Sequence, residues 1–236
     1  MQIVLFISIF IVTAGISLWA SNRVKSTYKK FSQVPAGSGQ TGARAAAQIL
    51  RAAGIDDVEI VASDSFLGDH YDPIHKRLVL SELNYHGDSA AALGVSAHEC
   101  GHAIQHKMTY APLQWRMAAV GVTSYANGIV TYLPILGLMT GGFGGIIGGS
   151  MTTYFMIMAA GWAMIMAFNL VTLPVEFDAS KRAKKILSGM RLVTTEEAEV
   201  GVRKTLDAAA MTYVAAFITS LIYLLWYLLP LLLNRR

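Results

Sequence analysis

From Met117 to Val175 the chain carries no Asp, Glu, Lys, Arg or His. A charge-free stretch of that length is about twice what one crossing of a bilayer's roughly 30 Å hydrocarbon core requires, with residues left for a connection. In its middle lies GLMTGGFGGIIGGS, residues 137–150. The reading is two transmembrane helices, roughly 117–138 and 151–173, joined by this glycine-rich turn. Its glycines lack the GxGxxG spacing of dinucleotide sites and follow no strand pattern. Gly141–Gly145 and Gly144–Gly148 do match GxxxG, which permits close helix contact in lipid.

Composition agrees with a membrane chain. Of the residues, 54% are hydrophobic and only 14% charged, where soluble domains sit near a quarter charged. Residues 1–20, MQIVLFISIFIVTAGISLWA, form a second uncharged run. A secretory signal carries its basic residues ahead of the apolar core. Here Arg23, Lys25, Lys29 and Lys30 follow it, so an uncleaved anchor with its N-terminus outside is expected. The last apolar run is 208–233. Thr194 and Glu197 have capping-box spacing ahead of it, which starts a helix near 195, and Pro230 is expected to end or bend that helix.

The charges then fix a topology. Apart from Arg235 and Arg236, every charged side chain lies in 21–116 or 176–207. Four spans put both segments on one side, and the excess of Lys and Arg makes that side cytoplasmic. The formal net charge of +4 is read as orientation in the membrane, not as binding of nucleic acid. The expected organisation is a transmembrane anchor (1–20), a cytoplasmic α+β segment (21–116), a transmembrane hairpin (117–173), a cytoplasmic helical segment (174–207) and a C-terminal transmembrane helix (208–236). The fold class is thus membrane-embedded and mainly α, with about four transmembrane helices and a small cytoplasmic α+β unit. That unit is too short for a large core of its own. A helix is expected over 40–53, stopped at Gly54, and strands over 57–63 and 75–82. Asp88 or Ser89 can cap the helix that follows.

That helix contains VSAHECGHAIQH, residues 95–106. His98-Glu99-Cys100-Gly101-His102 is an HExxH motif. Residues i and i+4 share a helix face, so both imidazoles can reach one ion. Zinc suits nitrogen and oxygen donors. Glu99, one residue round the helix, is placed to serve as the base for a zinc-bound water that attacks a carbonyl. Cys100 points away from the histidine face, and as the one cysteine it can form no internal disulfide. A catalytic zinc needs a third protein ligand. His106 shares the face but lies too far along a straight helix. Glu176, in PVEFDASKRA directly after the hairpin and Pro174, is the leading candidate, since the hairpin returns the chain to the side it left. Asp178 is the second candidate.

YDPIHKRLVLSE, VSAHECGHAIQH and PVEFDASKRA after a hydrophobic hairpin resemble the YugP-type bacterial membrane zinc metallopeptidases of the glutamate-zincin group, which also holds the HtpX-type membrane proteases. The resemblance covers most of the chain. It implies a zincin-like unit holding one Zn2+ on His98, His102 and Glu176, with Glu99 as the catalytic carboxylate. Where many glutamate-zincins carry ExxxD, the aspartate position here is Ser180, so Ser180 or Asp178 would orient a ligand histidine. Related zincins place an antiparallel edge strand beside the active-site helix. By that likeness an extended peptide would add along residues 76–81, and Val79→Pro would weaken cleavage without removing zinc. Tyr71, His106 and Tyr110 are candidates for stabilising an oxyanion. The expected function is a membrane-bound zinc endopeptidase acting on polypeptide at the cytoplasmic face of the cell membrane. The competing class is a zinc-binding scaffold or transporter-like protein that catalyses nothing. Spans without an ionisable residue speak against coupled ion transport.

Overall fold

The computed structural model describes residues 2–65, 67–139 and 151–233. The chain runs α1 (Gln2–Phe31), α2 (Gly42–Ala52), β1 (Glu59–Ser63), β2 (His70–Asp72), β3 (Arg77–Ser81), α3 (Glu82–His86), α4 (Ala90–Lys107), α5 (Ala111–Met139), α6 (Met151–Gly189) and α7 (Glu196–Leu233). Four of these helices, α1, α5, α6 and α7, are long and apolar enough to cross a membrane. Nearly all of the expected glycine-rich turn, both GxxxG pairs included, lies outside the described residues, as do Arg235 and Arg236.

The helices are longer than their apolar runs. The span expected over 151–173 is part of α6, which continues through Pro174 to Gly189. Proline removes one N–H bond and crowds one carbonyl, and here the turns on either side hold the helix through it. Pro230 likewise lies inside α7 and does not end it. The cap of α7 is Thr195, not Thr194: its Oγ1 accepts from the Ala198 N–H at 3.2 Å. Thr194 instead donates its backbone N–H to the Ala36 carbonyl.

The residues group into two compact units. One comprises 1–17, 115–173 and 213–236. Its interior is aromatic: Trp162 stacks on Tyr223 with ring centroids 4.5 Å apart, and Tyr154, Met158 and Tyr227 are buried together. Asn169 is bonded within it to the Ser220 hydroxyl at 3.1 Å. Its outer surface exposes large apolar side chains such as Leu5, Phe10, Ile11, Ile135 and Leu232, the pattern of a surface that faces hydrocarbon.

The other unit comprises 18–114 and 174–212. Ile49 and Leu50 of α2, Leu78 and Leu80 of β3, Leu93 of α4, Leu187 of α6 and Leu206 of α7 form its core. Thr41 caps α2 through Arg44 N–H, and Gly54, with a positive φ of 66°, turns the chain away after it. Ser89, rather than Asp88, caps α4 by accepting from Ala92 N–H at 3.2 Å.

The sheet differs from expectation in one respect that matters. Its order is β1-β3-β2, so β3 is the central strand. Val79 pairs with Val61 of β1 in parallel and with His70 of β2 antiparallel. Both edges of residues 77–79 are occupied, and beyond them Asp69 accepts from the Ser81 N–H at 2.7 Å. An extended peptide therefore cannot add along 76–81, and proline at 79 would break the middle of the sheet. The strand missed in the sequence, β2, has three residues and turns into β3 through an Asx turn, in which the Asp72 carboxylate accepts from Ile74 and His75.

Candidate metal centre

α4 is built to be surrounded. Ala90, Ala91, Ala92, Gly94, Ala97, Gly101 and Ala103 are all buried, and small side chains let neighbouring backbones come close. A Cβ on Gly101 would lie 2.9 Å from the Ala179 carbonyl oxygen and 3.1 Å from its Cα. Only glycine at this position lets α6 approach α4 so closely. That approach carries Glu176, one turn before Ala179, to the histidine face of α4.

His98 Nε2 lies 3.2 Å from Glu176 Oε2, and His102 Nε2 lies 3.6 Å from the same oxygen. The two imidazoles meet edge to face with centroids 4.8 Å apart. The ligand atoms of His98, His102 and Glu176 all fall within 4.8 Å of one another, the one such group of three or more His, Cys, Asp or Glu among the described residues. Donor atoms on a tetrahedral zinc lie about 3.4 Å apart, given Zn–N and Zn–O bonds of about 2.0–2.2 Å. The set is two imidazoles and one carboxylate, converging, with His102 and Glu176 buried and His98 partly so, and it fits that ion.

The distal ring nitrogens are held too. Ser180 Oγ is 3.2 Å from His98 Nδ1. Gln105 Oε1 is 3.0 Å from His102 Nδ1. The amide nitrogen of Gln105 donates to the Val175 carbonyl at 2.9 Å and to Asp178 Oδ2 at 2.8 Å. With both of those partners acceptors, the amide can sit only one way round, and its oxygen takes the Nδ1 proton of His102. His102 Nε2 is thereby left on the Glu176 side, protonated when it pairs with the carboxylate and bare when the ring is neutral. Arg182 Nε donates to Asp178 at 2.6 Å and closes the chain of contacts.

Charge and burial compete here. Burial alone would raise the Glu176 carboxyl and lower the His102 imidazole. The hydrogen bonds and charges of the two histidines outweigh burial and hold Glu176 well below the usual carboxylate range. The Glu176 hydrogen bond and the charges of Glu99 and Glu176 outweigh it at His102, whose pKa is raised. Burial would also raise Asp178, but its bonds from Arg182 and Gln105 keep it low.

Residues 6–232 match a family model described as "Putative neutral zinc metallopeptidase". The chain belongs to this family. It is also 40% identical over 225 residues, covering 95% of this chain and 96% of the relative, to "Putative membrane protease YugP" of Bacillus subtilis (strain 168). No solved structure matches the chain. Zinc is the metal that membership in this zinc metallopeptidase family implies, and the donor set of two imidazoles and a carboxylate is compatible with it.

The remaining candidates fall outside the three-residue group. Cys100 is fully buried, its thiol directed at the Ala46 carbonyl of α2, and burial pushes its pKa up. His106 is engaged through Nδ1 by the Tyr71 hydroxyl at 2.9 Å. Tyr110 donates its backbone N–H to Gln105 C=O after the end of α4. Ser180 and Asp178 both reach the histidines, Ser180 directly and Asp178 through Gln105. Gln105 itself went unread in the sequence, though its signal was there: a lone amide three residues past His102 shares that histidine's helix face.

Proposed function

We propose that this chain is an integral-membrane zinc endopeptidase in which His98, His102 and Glu176 hold one Zn2+ and Glu99 is the general base. The observation that carries the reading is the convergence of those three side chains from helices far apart in sequence, in a chain whose family is that of zinc metallopeptidases. When bound, zinc lowers the pKa of a water towards about 7 and polarises a carbonyl. Glu99 is buried beside the pair, 7% exposed. Its carboxylate takes a proton from the attacking water and delivers it to the amine that leaves. Ser180 and Gln105 keep the imidazoles from rotating. Glu176 would offset one of the two positive charges of the bound ion.

The substrate is polypeptide, and the relative's description as a membrane protease supports segments close to the bilayer. Residues 21–116 and 174–207 make up the cytoplasmic part, by the concentration of Lys and Arg in them. Residues 1–20, 117–173 and 208–236 make up the spans of a multi-pass protein of the cell membrane. The test compares purified full-length wild type with Glu99→Gln. Zinc per chain is measured by elemental mass spectrometry, and cleavage by release of fragments from an unfolded, labelled protein. Equal zinc with a roughly 10²–10⁴-fold loss of rate in the variant is expected. Full zinc and no cleavage by wild type would point to a zinc-binding scaffold.

A further inference from the structure

Arg23, Ser26, Thr27 and Lys30 of α1 are spaced by three, four and seven residues and so share one helix face. Lys204, Asp207, Ala208 and Met211 of α7 repeat the same spacing. The two faces, with Phe177 of α6, enclose a cavity of about 660 Å³. Three cations and one carboxylate line it. The carboxylate, Asp207, is bonded to Lys184 at 3.0 Å. Among the described residues none of the three cations is paired with a carboxylate. Arg23 instead lies over the Trp19 ring and Lys30 over the Phe31 ring.

The position of this cavity along the chain is as telling as its charge. α1 carries no Asp, Glu, Lys, Arg or His before Arg23, and α7 carries none after Asp207. The cavity thus sits where both helices pass from charged to uncharged sequence, the level at which headgroups meet hydrocarbon. Trp19, one turn before Arg23, is 52% exposed, as interfacial tryptophans are. On the α1 side Ser26 and Thr27 lie beside two of the cations. On the other side Ala208, Met211 and Phe177 add an apolar lining next to Lys204 and Asp207.

We propose that this cavity binds an anionic phospholipid, its phosphate held by Arg23, Lys30 and Lys204 and its acyl chains running past Phe177 and Met211. A soluble anion would need the cations but not the apolar lining. A neutral lipid would need the lining but not three unpaired cations. The site does not depend on the metal centre.

To test it, full-length protein in non-ionic detergent is titrated with dioleoylphosphatidylglycerol or dioleoylphosphatidylcholine, and retained lipid is counted by native mass spectrometry. Each cation near a headgroup contributes on the order of fivefold in affinity for anionic lipid. Wild type is expected to retain phosphatidylglycerol in preference to phosphatidylcholine. The triple variant Arg23→Gln, Lys30→Gln, Lys204→Gln is expected to bind phosphatidylglycerol at least about tenfold more weakly. A second triple, Lys25→Gln, Lys29→Gln, Arg203→Gln, removes the same charge from exposed positions outside the cavity and is expected to bind as wild type does. A charge-preserving triple, Arg23→Lys, Lys30→Arg, Lys204→Arg, separates loss of charge from loss of fold and is expected to keep binding. Equal losses in the two glutamine triples, loss in the charge-preserving one, or no preference in wild type would overturn the site. Displacement of phosphatidylglycerol by millimolar inorganic phosphate would show a free-anion site and overturn the lipid assignment.

Discussion

The Nε2 atom of His98 lies 3.2 Å from a carboxylate oxygen of Glu176, across seventy-eight positions of sequence. One buried carboxylate thereby answers two imidazoles. Glu176→Gln keeps the volume and removes the charge. Its zinc affinity should fall by more than the roughly 10–100-fold that attends loss of an outer hydrogen-bond partner. Zinc per chain after dialysis against a weak chelator measures it. Full retention in both Glu176→Gln and Glu176→Ala would remove Glu176 from the ligand set.

Gln105 is expected to act on the metal without touching it. It is fully buried and its amide makes all three of the bonds described above. Gln105→Leu leaves the His102 Nδ1–H without its partner, at a cost of about 1–3 kcal/mol. Zinc affinity should drop about 10–100-fold. The competing outcome is a lower melting temperature with unchanged zinc affinity, which would make Gln105 a packing residue only.

The two unspecified positions of HExxH have different roles: Cys100 packs against α2, while Gly101 sets the distance from α4 to α6. In Gly101→Ala the new Cβ would meet the Ala179 backbone at 2.9 Å, and backbone cannot swing aside as a side chain can. About 1–3 kcal/mol of stability should be lost, with weaker zinc binding as Glu176 is pushed back. Gly121→Ala is the control. Nothing lies within 4 Å of its added Cβ, so it should be neutral or stabilise by up to about 1 kcal/mol. Similar melting temperatures in the two variants would refute the role of Gly101.

How much of this could be read beforehand follows from which interactions are local. The shared face of His98 and His102 is a property of one helix and follows from their spacing. That Glu176 lies with them was expected from the charge pattern, which reads the uncharged stretch as a hairpin returning to the side it left. Ser180 could be narrowed to one of two residues but not given a histidine, since that depends on how α6 is rotated. The central place of β3 was not legible. It is decided by β2, whose three residues have no periodicity of their own and gain a strand's geometry only by pairing with β3. The passage of α6 through Pro174 was hidden for a related reason, as a proline's local cost is overridden by the helix on either side of it.

Proton and zinc compete for His102, and the competition gives opposite pH trends with and without metal. The raised pKa of His102 means that its pairing with Glu176 stabilises the metal-free protein fully below the ordinary imidazole value of 6.5, and less as pH rises through the raised value. The lowered pKa of Glu176 contributes stability above the ordinary carboxylate value of 4.5, lost as pH falls through the lowered value. The metal-free protein should therefore draw most from this pair between pH 4.5 and 6.5. Zinc needs the imidazole neutral, so below the raised His102 pKa its apparent affinity should weaken by up to about tenfold per pH unit. Thermal melts of chelator-stripped protein and zinc titrations from about pH 5.5 to about pH 8.5 measure the two trends. A zinc affinity that is flat across that range would mean that no proton leaves His102 when the ion binds, and the assignment of His102 as a ligand would fail.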